Sequence, residues 1–415
     1  SRWTNIFMRE PKGTQGQREH KDSNRVRGPL SGVKILDFST LLPGPYASAL
    51  LADLGAEVIR IESPTRPDLI RALPPMQGGQ SVTHLSLNRG KKSVAINLKV
   101  PEGLRLAKQL VNECDVLIEQ FRPGVMKRLG LDYHTLHQLH PKLIYCSITG
   151  YGQKGAYAQK AGHDINYLAL SGVASYSGRI DEGPRLSGVQ IADIAGGSHP
   201  AVIGILAALY ERVTTETGRH IDISMSNGAL ALNALTLSVA AHSSKSPSYG
   251  DTFLNSGTLY DYYQTADQRW LSIGSLEPQF ARRLFETLGH PEWFKESLKP
   301  PTQQSDLKQN LAKEIASKSF EVWRNIFAKI DCCVEPVLTL KEALDHPLFI
   351  NSGVVERVEH EQGELIYIAS PLCVSFPKIA TDIGHRLGQD TDEVLSALGI
   401  SQTKLTELKE AKVIR

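Results

Sequence analysis

The sequence predicts an α/β fold, with an open parallel sheet followed by a smaller α+β domain. Short β-rich runs alternate with helical stretches through the first half of the chain. The connections between these runs are long enough for the right-handed crossover helices that parallel strands require. After about residue 250 the alternation stops, and strands mix with amphipathic helices in no regular order. We therefore expect two domains, which the 415 residues allow.

The first strand–helix–strand unit opens the folded sequence, which we expect to begin at Leu30. A β-rich run over residues 33–38 precedes a helical stretch over 46–54, and Gly55 is typical of the residue that ends a helix. A second strand is predicted over residues 57–62. Together these elements form a βαβ unit, the building block of an open parallel sheet.

The same alternation continues along the large domain. We predict further strands over residues 92–97, 116–119, 143–149 and 220–225, and helices over 103–112, 133–139, 197–212 and 227–241. A stretch rich in Ser, Pro and Gly at 243–250 predicts a domain boundary.

Beyond that boundary the sequence predicts a small mixed domain and a C-terminal segment. The predicted strands are 259–264, 270–273, 354–359 and 365–368, and the predicted helices are 279–288, 305–317, 320–330 and 391–398. The resulting division is an N-terminal arm or expression remnant (1–29), a large domain (30–226), a linker helix and boundary (227–250), a small domain (251–340) and a C-terminal segment (341–415).

Composition and charge exclude several classes of protein. The apolar and charged fractions, 41% and 22%, are ordinary for a globular protein. A net charge of +2 gives no reason to expect nucleic acid or an anionic membrane as the main partner. The longest apolar run, residues 201–210, is too short to cross a bilayer, which needs about 20 residues. The five cysteines have no metal-binding spacing and predict buried thiols in a reducing compartment, with the cytoplasm as the default location.

Familiar catalytic motifs are absent from the sequence. The first strand–helix turn, residues 39–45, lacks the G-x-G-x-x-G that lets backbone approach a dinucleotide pyrophosphate. The chain also lacks a P-loop, HExxH, CxxC and GxSxG, so nucleotide hydrolysis, zinc proteolysis and serine hydrolysis have no support. We predict neither a metal nor a redox cofactor.

A basic cluster lies beside the predicted strand ends. Asn88, Arg89, Lys91 and Lys92 surround the start of one strand, and Arg122 follows the end of another. Loops from neighbouring strands can meet at one edge of the sheet, where anionic ligands bind. Lysine offers a point charge to a phosphate and arginine a fork of donors. From charge alone, a solvated loop is the better explanation.

Ionisable groups stand at two predicted helix starts. His163 and Asp164 come before one apolar stretch, and Asp193 comes before another that opens with two glycines. Each aspartate could simply cap its own helix. Taken together with the glycines, which allow close approach to the backbone, they predict a site for proton transfer or for nucleophilic attack by a carboxylate.

At these residues the chain resembles the CaiB/BaiF family (class III CoA-transferases), which includes the α-methylacyl-CoA racemases. The resemblance runs from Leu30 to about Leu398 and rests on the order and number of separated blocks. These blocks are LLPGPYASALLADLGAEVIRIE, LNRGKKSVAINLK, DVLIEQFRPGVMKRLGL, ITGYGQKG, AGHDINYLALSG, ADIAGG, SLEPQF and VEPVLTL.

The resemblance implies an architecture and a ligand. Two subunits would interlace as a homodimer, each with a Rossmann-like large domain, a small domain and a C-terminal segment that returns to the large domain. Coenzyme A would lie on the large domain, and the partner's small domain would complete the active site. The reaction would use no separate redox cofactor or metal.

The resemblance also implies two competing chemistries. In the transferases the residue matching Asp164 attacks a thioester and then carries CoA to an acceptor acid. In the racemases the residues matching His163 and Asp193 flank the acyl α-carbon, while the one matching Glu277 assists the histidine. The leading hypothesis is epimerisation of 2-methylacyl-CoA, and the alternative is CoA transfer through Asp164. A catalytically silent CoA-binding scaffold is a third possibility.

Other ligand contacts follow from the same resemblance. The predicted CoA-binding or substrate-binding positions are Arg60, Asn88, Arg89, Lys91, Lys92, Arg122, Tyr151, Gly152, Asn166 and Tyr167.

Overall fold

The computed structural model describes residues 27–379 and 382–415. Of the predicted N-terminal arm, residues 1–29, the first 26 residues lie outside the described part of the chain.

The large domain is built on a sheet of six parallel strands, as the alternating pattern predicts. Its strands are β1 Lys34–Asp37, β2 Glu57–Glu62, β3 Lys91–Ala95, β4 Val116–Glu119, β5 Ile144–Thr149 and β6 His220–Ser224. They lie in the order β6-β5-β4-β1-β2-β3, which is the strand order of a Rossmann fold. Successive strands therefore extend the sheet to one side of β1 and then, from β4, to the other side, and ligands bind such sheets at the carboxyl ends of β1 and β4.

Helices cover both faces of this sheet and bury it. They are α1 Pro43–Asp53, α2 Pro101–Asn112, α3 Tyr133–Leu139, α4 Asp164–Leu170 and α5 Ile191–Thr215, with short helices at Val82–Leu87 and Val125–Arg128. One core packs α1 and α5 on residues such as Ile35 and Ile118. The other packs α2 on Leu36 and Leu117. Burial on both faces explains why the strands read as continuous apolar runs.

Helix α5 is longer than predicted and irregular near its start. The sequence predicts a helix over 197–212, whereas helical structure begins at Ile191 and passes through a π turn at Ile194–Ser198. Among the described residues, this is the one helix that is long and apolar enough to cross a membrane. Length and composition are weak evidence, because a core helix passes the same test, and α1 and the sheet pack against this one.

The predicted helix over 227–241 is wrong in one respect, because it is two helices. They are α6 Met225–Ala231 and α7 Leu237–His242. The Asn233 side-chain amide donates to the carbonyls of Leu230 (2.9 Å) and Ser171 (3.0 Å). Occupying the Leu230 carbonyl competes with the backbone bond that would continue the helix.

The small domain has its own antiparallel sheet and core. Its strands are β7 Asp261–Gln264, β8 Trp270–Ile273 and β9 Val334–Pro336, and its helices are α8 Pro278–Leu288, α9 Ser305–Ile315 and α10 Phe320–Phe327. Trp323, Phe285 and Leu284 fill the core between sheet and helices. Strand β9 was not predicted, because three residues are too few for a readable alternation.

The C-terminal segment packs on the large domain. It contains the short helices Leu340–Leu344 and Pro347–Ser352, the hairpin strands β10 Val355–His360 and β11 Gly363–Ile368, and the helices α11 Thr391–Ala397 and α12 Gln402–Glu410. Leu395 and Leu405 join the core beneath α2. The Asn97 amide donates to the Val413 carbonyl at 2.8 Å, so the chain end lies beside the sheet edge.

Candidate active site

Helix α4 presents two of the predicted site residues at its first turn. His163 is the N-cap residue with an extended backbone, and Asp164 is the first helical residue. The Asn166 side-chain oxygen accepts the His163 amide at 3.0 Å and fixes the backbone of His163. The His163 side chain is exposed at the start of α4. This leaves the imidazole accessible to a substrate.

Asp164 does not cap its own helix, contrary to the simplest interpretation of the sequence. Its carboxylate accepts the amide of Asp193 at 2.9 Å and so joins the start of α4 to the start of α5. Asp193 is not a cap either, because α5 begins at Ile191 with Gln190 as the N-cap residue. The two helix starts are brought together by this bond, and each of their acids lies inside a first turn.

The π turn after Asp193 is packed too closely for larger residues. A Cβ atom on Gly228 would lie 2.0 Å from the Gly196 carbonyl oxygen, so these two backbones touch. Ser198 is buried, and its hydroxyl donates to the Pro43 carbonyl at 2.6 Å. The turn is therefore held against both α6 and α1, and π turns of this kind are frequent at functional sites.

The electrostatics of the site centre on Asp193. Burial raises the pKa of its carboxyl, the charge of Asp164 raises it further and His163 lowers it, with a net value of about 6. A carboxyl with this pKa is present in both protonation states near neutral pH, as an acid–base catalyst requires. The dependence on both neighbours also means that His163, Asp164 and Asp193 lie within electrostatic reach of one another.

Two tyrosines and two glycines shape the loop that carries His163. The Tyr167 hydroxyl donates to the Gly162 carbonyl at 2.7 Å, and its ring stacks edge-on against Tyr151 at 5.3 Å. Tyr167 is buried in the core, so its position makes it a support for the loop. Gly152 has a left-handed φ of +83°, which favours glycine, and its amide donates to Thr149. Tyr151 is half-buried beside this turn.

Glu277 lies in the small domain, away from the other predicted catalytic residues. It is exposed and precedes helix α8 as its N-cap residue. No hydrogen bond or ion pair links it to His163, Asp164 or Asp193 within the described part of the chain. Desolvation and, after it, the negative charge of Glu277 raise the pKa of the exposed Cys333 thiol. Cys333 and the half-buried Cys373 depart from the prediction of buried cysteines, although all five thiols are free.

The first turn of helix α1, residues 43–46, offers no free amide to a phosphate. Pro43 and Pro45 have no N–H, and the Gly44 amide donates to the Gln120 side chain at 2.9 Å. The Tyr46 amide donates to the Leu42 carbonyl. Dinucleotide folds place the pyrophosphate on such amides. The geometry therefore agrees with the sequence argument against a dinucleotide site here.

Most of the predicted basic cluster is buried and already paired. Arg60 bonds Glu62 and Asp68, and the Lys91 ammonium donates to the Pro45 carbonyl (2.6 Å) and to Asn88 (3.0 Å). Arg60, Asn88 and Lys91 are almost fully buried, and their contact with CoA stays a prediction.

The remaining two residues of that cluster are also engaged. Arg89 is buried and pairs with Asp53 at 2.5 Å. Lys92 pairs with Glu393 at 2.9 Å and with Glu57 at 3.5 Å. Residue type alone does not reveal which carboxylates fold against each cation.

Arg122, unlike the other members of the predicted basic cluster, belongs to a second group of cations. The other members of this second group were not predicted as ligand contacts. Arg122 is exposed in the loop after β4 and makes no ion pair among the described residues, and the same holds for Lys127, Arg128, Lys154 and Lys160. The Gln159 side chain donates to the Pro123 carbonyl at 2.7 Å, so the loop carrying Lys160 lies against the loop carrying Arg122. These exposed cations form an anion-attracting surface at the carboxyl edge of the sheet.

A cleft of about 250 Å³ opens beside Glu277 in the small domain. Its polar side chains are already bonded within the chain: Thr258 donates to Phe253, Ser297 to Phe294, and buried Gln304 to Ser297 and Lys299. The apolar lining is Phe253, Leu259 and Leu276. Glu277 is the only ionisable side chain that lines the cleft, so the cleft offers a ligand an apolar surface and one carboxylate.

Comparison with known proteins agrees with this fold. CoA-transferase family III matches residues 30–391. The chain is 34% identical to the human α-methylacyl-CoA racemase over 93% of this chain and 97% of that protein. It is 32% identical to the human succinyl-CoA:glutarate CoA-transferase over 96% of this chain and 92% of that protein.

A solved structure has the same fold. A CaiB/BaiF family protein from Brucella suis superposes with a TM-score of 0.77 at 27% identity, covering 90% of this chain and all of that one. The family predicted from the sequence blocks is confirmed, and the chain belongs to CoA-transferase family III, the family of acyl-CoA-processing enzymes that includes the α-methylacyl-CoA racemases.

Proposed function

We propose that the protein epimerises 2-methylacyl-CoA thioesters at the α-carbon. The observation that carries this proposal is the hydrogen bond from the Asp193 amide to Asp164, which brings together the helix starts that bear His163 and Asp193, with the pKa of Asp193 raised to about 6. A carboxyl with this pKa exchanges protons near neutral pH, as an acid–base catalyst must. The racemase relative at 34% identity supports the same reaction.

The proposed reaction inverts the α-carbon by two proton transfers. One of the two groups removes the α-proton, and the electron pair of the broken C–H bond delocalises onto the thioester oxygen as an enolate. The other group then donates its proton to the opposite face of the α-carbon. The first group ends protonated and the second deprotonated, so proton exchange with water restores the starting state. Neither a metal nor a redox cofactor takes part.

The proposed enzyme is an interlaced homodimer in the cytoplasm. Glu277 makes no hydrogen bond or ion pair with His163 within the described part of one chain, so the partner's small domain would supply the glutamate that assists the histidine. Ile203, Tyr210 and Val213 on α5 are 67%, 83% and 79% exposed, which is unusual for large apolar residues and supports their burial against a second subunit. The free thiols fit a reducing compartment.

Coenzyme A is proposed to bind along the exposed cations at the carboxyl edge of the sheet. Arg122, Arg128 and Lys160 would neutralise its phosphates, because their charges have no carboxylate partner in the described chain. The acyl chain is proposed to enter the cleft beside Glu277. That cleft has no cation for a second carboxylate, so it disfavours succinyl or glutaryl groups, for which one relative is named.

CoA transfer through Asp164 is a second candidate, favoured by one observation. Asp164 holds the Asp193 amide with one oxygen, while its other oxygen has no recorded partner in the described structure. A free carboxylate oxygen is able to attack a thioester, releasing CoA as its thiolate and forming an acyl anhydride. The CoA thiolate would then attack the Asp164 carbonyl of the anhydride, release the donor acid as a carboxylate and leave Asp164 as a thioester. An acceptor carboxylate would attack this thioester and form a second anhydride, from which the released CoA thiolate takes the acceptor acyl group and frees Asp164.

The two reactions are separated by isotope exchange and by trapping. We expect deuterium from D2O to enter the α-position of 2-methylpropanoyl-CoA, the shortest 2-methyl thioester, and expect His163→Ala to lower this exchange to the part that passes through Asp193. We expect Asp164→Asn to keep exchange within about tenfold, because an amide oxygen still accepts the Asp193 amide. Arg219→Ala, which breaks an exposed ion pair with Glu211, serves as the control.

The opposite pattern supports the alternative. If the enzyme exchanges no α-proton but moves labelled CoA to an acceptor acid, and hydroxylamine traps it at Asp164, the racemase proposal is wrong. Loss of labelled CoA transfer in Asp164→Asn would then assign the nucleophile.

A further inference from the structure

An ion pair joins the segment that follows helix α4 to the small domain. The Arg179 guanidinium donates to both oxygens of Asp261, at 2.7 Å and 2.8 Å. Arg179 lies on a short hairpin strand, Gly178–Arg179, that follows α4, whereas Asp261 opens strand β7. Parallel double bonds of this kind fix the relative orientation of their partners more strongly than a single contact does.

Asp261 collects donors from three elements. Besides Arg179, it accepts the Lys308 ammonium of α9 at 2.8 Å and the Tyr262 amide of β7 at 2.8 Å. Burial would raise the pKa of Asp261, but the bonds from Arg179 and Lys308 hold it below its ordinary value. Its side chain is only 9% exposed. The carboxylate is therefore a charged, mostly buried junction, unlike the mobile ion pairs of a protein surface.

The junction is linked to His163 by a continuous series of contacts. After α4 ends at Leu170, the Asn233 amide donates to the Ser171 carbonyl at 3.0 Å, and the Tyr176 hydroxyl donates back to Asn233 at 2.5 Å. The Asn255 amide then donates to the Tyr176 carbonyl at 3.0 Å. The segment between α4 and Arg179 is thus held at its beginning and near its end.

On the other side, the junction leads to Glu277. Asp261 is paired in register with Ile273, the last residue of β8, and Glu277 follows at the exit of that strand. The same strand is held from its other side by β9, through the pairing of Ile273 with Val334. A shift of β7 relative to the hairpin would therefore move the exit of β8.

We infer that Arg179 and Asp261 are positioning residues that fix the orientation of Glu277 relative to the helix bearing His163. Neither residue touches the reacting atoms in this inference. The pair acts by holding each chain's small domain against its own α4. In the proposed homodimer that orientation decides where Glu277 meets the partner's histidine. The inference about catalysis rests on the proposed function, whereas the mechanical coupling does not.

The catalytic part is tested by a double-mutant cycle measured as α-exchange in the full-length enzyme. We expect Arg179→Ala to lower kcat about ten- to hundred-fold with KM little changed, because misplacing a catalytic group costs rate. In a Glu277→Gln background the same substitution is expected to cost less than about twofold, since the group it positions is already lost. Arg179→Lys, which keeps the charge, should recover part of the rate.

Two outcomes of the cycle would overturn the catalytic part. One is that the two losses multiply, as independent structural damage does. The other is that Arg179→Ala lowers thermal stability alone. Arg219→Ala removes another doubly bonded arginine, paired with Glu211, and is the matched control.

The mechanical part is tested by amide hydrogen exchange, which requires no activity. We expect Arg179→Ala to speed exchange of the amides in both Asp164–Leu170 and residues 274–280, and Arg219→Ala to change neither. Faster exchange confined to the hairpin around Arg179 would overturn the coupling. If the wild type shows no α-exchange, the proposed function fails while this measurement still decides the coupling.

Discussion

Two clusters of charge in the large domain differ in how their carboxylates are balanced. Beside β2, Glu62 pairs with Arg60 at 3.2 Å and Arg71 at 2.6 Å, and Asp68 pairs with Arg60 at 2.7 Å. At the candidate site, Asp164 and Asp193 share the neighbourhood of one imidazole and have no arginine or lysine partner in the described structure. We refer to these as the paired cluster and the unpaired cluster.

The difference appears in the pKa values. Burial would raise the pKa of Glu62, but bonds from Arg71 and the charge of Arg60 lower it to about 2. The pKa of Asp193 rises to about 6, because burial and Asp164 both act against its charge. A carboxylate that has its cations is locked in one state, whereas one that lacks them is free to exchange protons. The comparison therefore separates charges that hold the fold from charges available for chemistry.

The largest expected effect is on stability, in the paired cluster. Replacing Glu62 with Gln leaves two buried guanidinium groups short of a counter-charge, which costs about 3–5 kcal/mol of unfolding free energy. Urea denaturation measures this loss. The control Glu393→Gln removes an exposed partner of Lys92 and should cost under about 1 kcal/mol. A loss for Glu62→Gln no greater than that of the control would contradict the structural role of the cluster.

A smaller effect is expected where cations are exposed. Arg122→Ala and Arg128→Ala should each raise KM for acyl-CoA about tenfold with kcat unchanged, since a lost phosphate contact removes roughly 1.4 kcal/mol of binding. Steady-state kinetics at two salt concentrations measure the effect, which should weaken at high salt. Lys92→Ala is the control, and an equal effect there would show that CoA binds at the other basic group.

A pH-dependent effect on stability is expected in the unpaired cluster, where replacing the Asp193 carboxyl should stabilise the fold. Because the folded pKa of Asp193 is raised from 3.8 to about 6, the wild type loses stability as pH rises through that range. Asp193→Asn should therefore melt at a higher temperature than wild type at pH 7, with the difference shrinking from pH 6 towards pH 4. Thermal melts across pH measure it, and a gain that grows on acidification would refute the raised pKa.

Glu62 provides the opposite sign within the same protein. Its lowered pKa contributes stability that is present above about pH 4.5 and is lost as pH falls towards 2.

Much of the fold could be predicted because local patterns decide it. Strands 57–62 and 116–119 and the helix over 133–139 occur as predicted, since apolar runs and turn residues mark their bounds. The start of α5 could not be predicted, because its π turn depends on contacts with α1 and α6 that are distant in sequence. Helix α12 was missed for a related reason, as only Leu405 and Leu408 are buried in it.

The site was partly predictable for the same physical reasons. His163, Asp164 and Asp193 were identified by type and position, and the structure brings them together. The sequence could not predict which carboxylates pair with Arg60, or that Asn88 contacts Lys91. Partners that meet only in the folded protein leave no local sequence pattern. For the same reason, the sequence could not predict that Arg122 and Lys160 have no carboxylate partner among the described residues.

Whether His163 and Asp193 flank the α-carbon is decided by α-proton exchange in D2O, measured separately for each enantiomer of 2-methylbutanoyl-CoA. We expect wild type to exchange and invert both enantiomers. Asp193→Asn should still exchange the enantiomer whose proton faces His163, without inversion, and His163→Asn should exchange only the other. If both variants exchange the same enantiomer, or if neither residue affects exchange, the two groups do not flank the α-carbon and the account is wrong.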